Sequence, residues 1–241
     1  MFFDIDGTLL ETAGAGRSAL STALLRVFGT TGTLDGYHFH GRTDPQIVLD
    51  LMTSAGLPVE EVRARLPAVW PVYLAELERE LETRRDSGRV RPLPGVVELL
   101  AALEARGGVA LGLLTGNIEE GARVKLAAAG LRTAFDLGGY GSDSAERIEI
   151  ARIAARRSHG SRGSEHVVVV GDTPADVACA RAIGARALAV ATGRHGLSDL
   201  ADAGADAVLP DLSDTAGVVA LLLSLSRRTA MADSGHIDGM R

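Results

Sequence analysis

Short apolar runs alternate with helical patterns along most of this chain of 241 residues. The runs typical of strands are 2–3, 109–114, 134–137, 167–170, 187–191 and 207–209. Between them, helical patterns lie at 96–106, 119–129, 145–157 and 176–183. The run at 167–170 contains only valine, which is typical of a strand buried on both faces of a parallel sheet. The alternation predicts an α/β fold with a doubly wound, Rossmann-like parallel sheet, in which ligands bind beyond the carboxyl ends of the strands.

One long segment interrupts this alternation. It contains the helical patterns 18–28, 44–55, 59–66 and 70–85 and no convincing strand. The sequence Arg-Pro-Leu-Pro-Gly at 91–95 is typical of a hinge. We therefore expect a helical cap at 15–89 over the strand ends and an α/β core made of 1–14 and 90–226. The segment 227–241 is polar and without periodicity, so we expect a mobile tail there.

Two pairs of carboxylates follow strand patterns that are far apart in the sequence. Asp4 and Asp6 come directly after the first apolar run, and Asp172 and Asp176 come after the valines. Both pairs fall at carboxyl ends of strands, so we expect them to share one site. Clustered carboxylates repel one another unless a cation lies between them. A hard, oxygen-seeking ion such as Mg2+ would relieve that repulsion and could also bind a phosphate.

The composition argues against several classes of protein. The net charge of -6, with no block of basic residues, argues against an extended nucleic-acid surface. Cys179 is the single cysteine, so no internal disulfide forms and a reducing compartment is the simpler reading. The apolar stretch at 216–225 is too short to span a bilayer. We expect a cytoplasmic protein without membrane contact, either a monomer or a homodimer.

The first strand pattern is short. Only Met1, Phe2 and Phe3 precede Asp4. We therefore expect a form of the chain extended at its N-terminus to be more stable, which a comparison of melting temperatures would test.

Three motifs occur in order, each after a strand pattern. Residues 4–8 read Asp-Ile-Asp-Gly-Thr, Thr115 follows two leucines, and residues 171–176 read Gly-Asp-Thr-Pro-Ala-Asp. Together they resemble the haloacid dehalogenase superfamily, and within it the phosphoglycolate-phosphatase-like branch with a helical cap inserted after the first strand. The resemblance covers nearly all of the chain except the last fifteen or so residues.

The resemblance implies a role for each acid. Asp4 would attack phosphorus and form an aspartyl-phosphate, which splits one hard step into two. Asp6 would protonate the leaving alkoxide and later deprotonate the attacking water. Mg2+ would be held by the Asp4 carboxylate, the Asp6 backbone carbonyl and Asp172. Asp176 would orient waters or help to fix the metal site, or would serve only as a first-turn acid of a helix.

The second motif would bind the transferred phosphoryl group. The Thr115 hydroxyl can donate a hydrogen bond to a phosphoryl oxygen at the strand end. The backbone N–H groups of Gly116 and Asn117 could help, since they lead towards the start of a helix. The alternative is that Thr115 only caps that helix.

The superfamily also needs a Lys or Arg close to the phosphoryl group, and in many members it lies just before a proline. Residues 141–147 contain no Lys-Pro, which is a departure from that pattern. Lys125, the only lysine of the chain, is the favoured candidate, because a long side chain on the helix after Thr115 can reach back to the strand ends. Arg147 is the alternative.

In the cap, Gly41-Arg42-Thr43-Asp44 resembles a loop that faces the active site in phosphoglycolate-phosphatase-like proteins. We expect Arg42 and Thr43 to contact the substrate. The guanidinium of Arg42 could bind a carboxylate or a phosphate, and the alternative is a structural ion pair.

These features predict a Mg2+-dependent phosphatase that hydrolyses a small phosphorylated metabolite, such as phosphoglycolate or a sugar phosphate. A phosphomutase of the same superfamily retains both acids of the first motif and is the closest alternative. A carbon–halogen hydrolase does not need Asp6, and a non-catalytic binding protein would be expected to lack Asp4 or Asp6.

Overall fold

The structure, a computed structural model, describes residues 1–131, 135, 137–158 and 166–232, and it leaves out the side chains of residues 228–232. Its strands are β1 (Phe2–Phe3), β2 (Leu10–Glu11), β3 (Arg91–Pro92), β4 (Gly112–Leu114), β5 (Leu137–Gly139), β6 (Val168–Gly171), β7 (Arg186–Val190) and β8 (Ala207–Leu209). Its helices are α1 (Ala15–Phe28), α2 (Asp44–Ser54), α3 (Val59–Asp86), α4 (Val96–Arg106), α5 (Glu119–Ala128), α6 (Arg147–Ser158), α7 (Pro174–Ala182), α8 (Leu197–Asp202) and α9 (Thr215–Ala232).

Six strands of the described residues form one parallel sheet in the order β5-β4-β1-β6-β7-β8. The first strand lies in the middle, where Phe2 pairs with Gly112 on one side and with Val169 on the other. Successive side chains of a strand point to opposite faces, and accordingly Phe2 and Phe3 pack into two different apolar clusters. The predicted doubly wound α/β fold is confirmed, and its topology places the residue after β1 at the centre of the sheet's carboxyl edge.

Helices α1, α2 and α3 occupy most of the segment predicted as a cap. The sequence predicted two helices at 59–66 and 70–85, and this was wrong, because α3 continues through Pro67 and Pro71 as one helix. Prolines disfavour a helix interior. Apart from Glu76, the buried residues of α3 are apolar and recur every fourth or seventh position, so they form one stripe whose burial offsets the cost. The apolar residues of the stripe are Val62, Val69, Tyr73, Leu77 and Leu81.

A short antiparallel pair, β2 and β3, joins the two connections between the helical segment and the rest of the chain. Leu10 pairs with Pro92 and Glu11 pairs with Arg91. The sequence analysis predicted only a hinge at 91–95, because a strand of two residues is too short to show alternation. The segment 15–89 as a separate cap domain stays a prediction.

The last helix extends further than its apolar pattern. Helix α9 runs to Ala232 and so includes the first six residues of the predicted tail. Residues 233–241 lie outside the described residues. No helix in the described part of the chain combines the length and the apolar character that a bilayer crossing requires.

Candidate active site

The two predicted acidic pairs meet at the carboxyl edge of the sheet. Asp4 follows β1, Asp172 follows β6, and Asp176 lies in the first turn of α7. One carboxylate oxygen from each of the three lies within 4.8 Å of the others, and all three residues are buried. The Asp4 amide donates to the Val170 carbonyl at 2.9 Å, so the hydrogen bonding of the sheet itself fixes the position of Asp4.

Asp172 is held by close packing of the first motif. The Thr8 hydroxyl donates to Asp172 Oδ1 at 3.2 Å. Gly7 has a φ of 84°, and a Cβ there would lie 2.5 Å from Asp172 Oδ2, so a side chain at this position would both strain the backbone and displace the carboxylate. Asp172 Oδ2 is buried and has no hydrogen-bond partner among the described residues.

The electrostatics of this cluster fit a hard cation. Burial, with the nearby charges of Asp176 and Asp4, raises the pKa of Asp172 to about 8. Burial raises the pKa of Asp4 to about 7, although the Arg147 guanidinium opposes the rise. Buried carboxylates of this kind carry a proton unless a positive charge replaces it. A divalent ion such as Mg2+ prefers oxygen ligands, and this cluster offers carboxylate oxygens, among them the unpaired oxygen of Asp172.

A buried arginine lies beside the nucleophile candidate. Arg147 Nη2 is 3.2 Å from Asp4 Oδ1 and 2.5 Å from Asp176 Oδ1. The other oxygen of Asp176 accepts from the Thr173 amide at 3.0 Å and from the Thr173 hydroxyl at 2.7 Å. Asp176 thus serves the start of α7 and orients Arg147 at the same time.

Asp6 belongs to a second hydrogen-bonded group. Lys125 Nζ donates to Asp6 Oδ2 at 2.6 Å and to Asn117 Oδ1 at 2.6 Å. Asn117 Nδ2 donates to Asp6 Oδ2 at 2.8 Å. Burial would raise the pKa of Asp6, but the charge and hydrogen bond of Lys125, with the Asn117 bond, hold it below its ordinary value. The sequence analysis favoured Lys125 over Arg147 as the cation of the site, and the structure places both there.

Thr115 is buried at the end of β4, where its hydroxyl oxygen accepts from the side chain of Asn117 at 2.8 Å and from its amide at 3.3 Å. The hydroxyl proton of Thr115 remains available to a ligand. The amide of Asn117, which we expected to bind a phosphoryl oxygen, is used inside the loop instead. The Gly116 carbonyl accepts from the Asp44 amide at 2.8 Å.

The loop before α2 docks on the core through Thr43 and Asp44. The Thr43 hydroxyl donates to the Ala145 carbonyl at 2.8 Å and caps α2 by accepting from the Gln46 amide at 3.1 Å. Asp44 Oδ2 accepts from the Ile118 amide at 2.9 Å, and burial raises the pKa of Asp44 to about 6. Thr43 is fully buried, so its hydroxyl has a structural role rather than the substrate contact that the sequence suggested.

Arg42 also has protein partners. Its Nη1 is 2.8 Å from Asp50 Oδ2, and its guanidinium stacks over the Tyr37 ring at 5.4 Å. The Tyr37 hydroxyl donates to the same Asp50 oxygen at 2.8 Å. The structural ion pair, the alternative noted above, is therefore present, although Arg42 lines the cavity as well.

One cavity of about 530 Å3 contains the candidate residues, a volume within the range of small-molecule sites. Its walls include Asp4, Asp6, Thr115, Gly116, Asn117, Lys125 and Arg147. Asp172 and Asp176 are buried behind them. The sequence analysis missed Tyr73 and Arg17 on the walls and did not assign Arg194, since no motif distinguishes these residues from ordinary helix and loop positions.

Comparison with known proteins agrees with this geometry. The family model described as haloacid dehalogenase-like hydrolase matches residues 1–181. The protein named "Probable phosphatase IndB" from Dickeya dadantii (strain 3937) is 30% identical over 236 residues, which is 94% of this chain and 95% of that protein.

Solved structures share the fold. CbbY from Rhodobacter sphaeroides, in complex with phosphate, is 21% identical with a TM-score of 0.66 and covers 88% of this chain and 94% of its own. A hydrolase from Pseudomonas syringae is 21% identical with a TM-score of 0.64 and covers 91% of this chain and 97% of its own. The resemblance of the three motifs is thereby confirmed over most of the sequence. The chain belongs to the haloacid dehalogenase-like hydrolase family and is an enzyme of that family.

Proposed function

We propose that this enzyme is a Mg2+-dependent phosphatase that hydrolyses small phosphate monoesters through an aspartyl-phosphate on Asp4. The observation that carries the proposal is the meeting of Asp4, Asp172 and Asp176 within 4.8 Å, with one buried oxygen of Asp172 left without a partner. The name of the 30% identical relative, a phosphatase, supports the same reaction.

The first step is attack of an Asp4 carboxylate oxygen on phosphorus. The new bond joins that oxygen to phosphorus, and the bond from phosphorus to the ester oxygen breaks. Asp6 has to enter this step protonated; it gives its proton to the departing alkoxide and is left ionised beside Lys125. In the second step, Asp6 takes a proton from water as the water oxygen attacks phosphorus, and the bond to Asp4 breaks to release inorganic phosphate.

The surrounding cations fit these steps. Arg147 lies beside Asp4 and would neutralise charge on the phosphoryl oxygens, and Lys125 would orient Asp6 and stabilise its ionised form. Thr115 would donate its hydroxyl proton to a phosphoryl oxygen. The Asp4 carboxylate, the Asp6 carbonyl and Asp172 would hold Mg2+, with Asp176 behind them, and the bound ion supplies positive charge for the phosphoryl group.

The alternatives have less support. A carbon–halogen hydrolase has no use for Asp6 or for a metal-binding Asp172, and both are held by specific hydrogen bonds. A phosphomutase would use the same acids but would return the phosphoryl group to a sugar. It would therefore release little inorganic phosphate, which separates the two activities.

The test is a panel of phosphate esters, assayed for phosphate release with and without Mg2+. The panel contains phosphoglycolate, sugar phosphates, nucleoside monophosphates and pyrophosphate. We expect turnover that depends on Mg2+ and is lost by roughly a thousandfold or more in Asp4→Asn, since a nucleophile cannot be replaced by its neighbours. Turnover that survives in Asp4→Asn would remove the proposed nucleophile.

A further inference from the structure

The cations around the cavity fall into two groups. The arginines and the lysine on its walls are Arg17, Arg42, Lys125, Arg147 and Arg194. Three of them pair with carboxylates: Arg42 with Asp50, Lys125 with Asp6, and Arg147 with Asp4 and Asp176. Arg17 and Arg194 form no ion pair within the described ranges. They are exposed at the cavity and carry charge that no carboxylate offsets.

Arg194 lies close to the reaction centre. It belongs to the loop after β7, and its neighbour Gly193 packs so tightly on Asp172 that a Cβ at Gly193 would overlap Asp172 Oδ2. Arg194 Nη1 is 2.9 Å from His38 Nδ1, which extends from the opposite wall. Three residues after His38, the backbone at Gly41 approaches α7, where a Cβ at Gly41 would lie 3.2 Å from Ala175 Cβ.

Two histidines, His38 and His40, lie beside Arg194. His40 also lines the cavity, and burial together with the charges of Arg194, His195 and His38 lowers its pKa, while Asp6 acts in the opposite direction. Arg194 and Asp6 both act on His40, so Arg194 lies near the reaction centre. Asp6 is already bonded to Lys125 and does not pair with Arg194.

The fold uses Arg17 and Arg194 only in part. Arg17 Nη2 donates to the Leu34 carbonyl at 3.0 Å, and its guanidinium stacks on Phe39 at 5.2 Å, so it supports the loop that carries the histidines. Arg194 Nη1 can only donate, so His38 Nδ1 accepts this hydrogen bond and His38 positions the guanidinium. The other N–H groups of Arg194 pair with no carboxylate in the described part of the chain and can bind an anion.

We propose that Arg194, His38 and His40 form a subsite for a second anionic group, so that the substrate is a phosphate monoester that also carries a carboxylate or a second phosphate. The proposal rests on the proposed function for the position of the first phosphate. The guanidinium fork matches either anion with two parallel hydrogen bonds. Arg42 already pairs with Asp50 and is not part of this subsite.

The experiment compares substrates that differ only in the second anion. Glycerol 3-phosphate and 3-phosphoglycerate form one pair, and the open-chain glucitol 6-phosphate and 6-phosphogluconate form a longer pair. We measure kcat/KM for both pairs in wild-type enzyme, in Arg194→Gln, and in Arg106→Gln, which removes one positive charge from an exposed position at the end of α4, outside the cavity.

We expect the wild-type enzyme to prefer the carboxylate member of at least one pair. In Arg194→Gln that preference falls by about tenfold, the value of one hydrogen bond to a charged group. Arg106→Gln keeps the wild-type preference. Absence of any preference in wild-type enzyme, or equal losses for both members of a pair in Arg194→Gln, would overturn the subsite.

Binding to the Asp4→Asn variant separates the two proposals. Calorimetry with the same four esters reports the preference without turnover. If the carboxylate member binds more tightly and Arg194→Gln removes this difference, the subsite is supported even if wild-type enzyme releases no phosphate. The missing phosphate release would then contradict only the phosphatase. Phosphate release with no preference in binding would contradict only the subsite.

Discussion

Lys125 connects the candidate acid–base residue to the loop after β4. Its Nζ lies 2.6 Å from both Asp6 and Asn117, and its side chain is buried. We predict that Lys125→Met lowers kcat by about a hundredfold or more, the range of acid–base contributions, because Asp6 loses the charge that sets its pKa and position. Steady-state kinetics on the best substrate, with circular dichroism to verify folding, measures this. A rate close to wild type would leave Arg147 as the cation that the reaction requires.

The raised pKa values of Asp4 and Asp172 give metal binding a pH dependence. The two groups have pKa values of about 7 and about 8, so below these values they carry protons that an entering cation must displace. We predict that Mg2+ affinity rises as the pH is raised from about 6 to about 9, by up to about tenfold per pH unit for each proton displaced. Calorimetric titrations with Mg2+ across this range measure it. An affinity that is constant with pH would show that the carboxylates are already ionised.

For single residues, the sequence motifs located Asp4, Asp6 and Asp172, because each acid follows a strand and parallel strands end at one edge of the sheet. The motifs could not show which charged side chains pair with one another. Asp50 neutralises Arg42, and this could be seen only once α2 was folded against the loop before it. Arg194 has neither a motif nor a periodic position, and only its place beside Asp172 in space distinguishes it.

Between elements, Asp44 is the contact that ties α2 to the loop leading into α5. Its carboxylate accepts from the Ile118 amide and its own amide donates to Gly116. We predict that Asp44→Ala lowers the free energy of unfolding by about 1–3 kcal/mol, since a buried N–H loses its partner, and also lowers kcat/KM. Asp44→Asn keeps an acceptor oxygen and serves as the matched control. Urea unfolding measures the stabilities, and an alanine variant as stable as wild type would show that this contact is dispensable.

The elements themselves were predictable to different degrees. Helix α4 begins and ends where its apolar spacing indicated, at Val96 and Arg106. Helix α3 was divided in two by its prolines, because local preference opposes a helix there and only packing of the whole apolar stripe reverses the outcome. The pair β2 and β3 gains its stability from pairing across about eighty residues of sequence, which no local pattern reveals.

Across the whole molecule, the order of the strands brings the acids near the N-terminus and those near position 172 to one edge of the sheet. Strand β1 lies between β4 and β6, so the residues that follow all three share one edge. The alternation of patterns predicted the fold class. It could not predict the order, since strand neighbours are decided by how the helices cover both faces of the sheet.

Because the proposed metal ligands come from distant segments, a bound cation should stabilise the whole fold. At a hundred times its dissociation constant, a ligand specific for the folded state adds about 2.7 kcal/mol. For a chain of this size we predict a rise in Tm of roughly 5–10 °C with Mg2+. Asp172→Asn should abolish the rise, and Asp35→Asn, which removes an exposed carboxylate far from the three acids in sequence, should retain it. Differential scanning calorimetry measures this, and an equal rise in both variants would place the ion elsewhere.

The covalent step on Asp4 can be measured directly. The enzyme is mixed with its best phosphate ester, quenched with acid and reduced with borohydride, which converts an aspartyl-phosphate to homoserine. Peptide mass spectrometry then locates the reduced residue. The proposed mechanism predicts homoserine at position 4, dependent on substrate and on Mg2+, and none in Asp4→Asn. An enzyme that turns over the ester while position 4 remains unmodified, or while another residue is reduced, would contradict the mechanism.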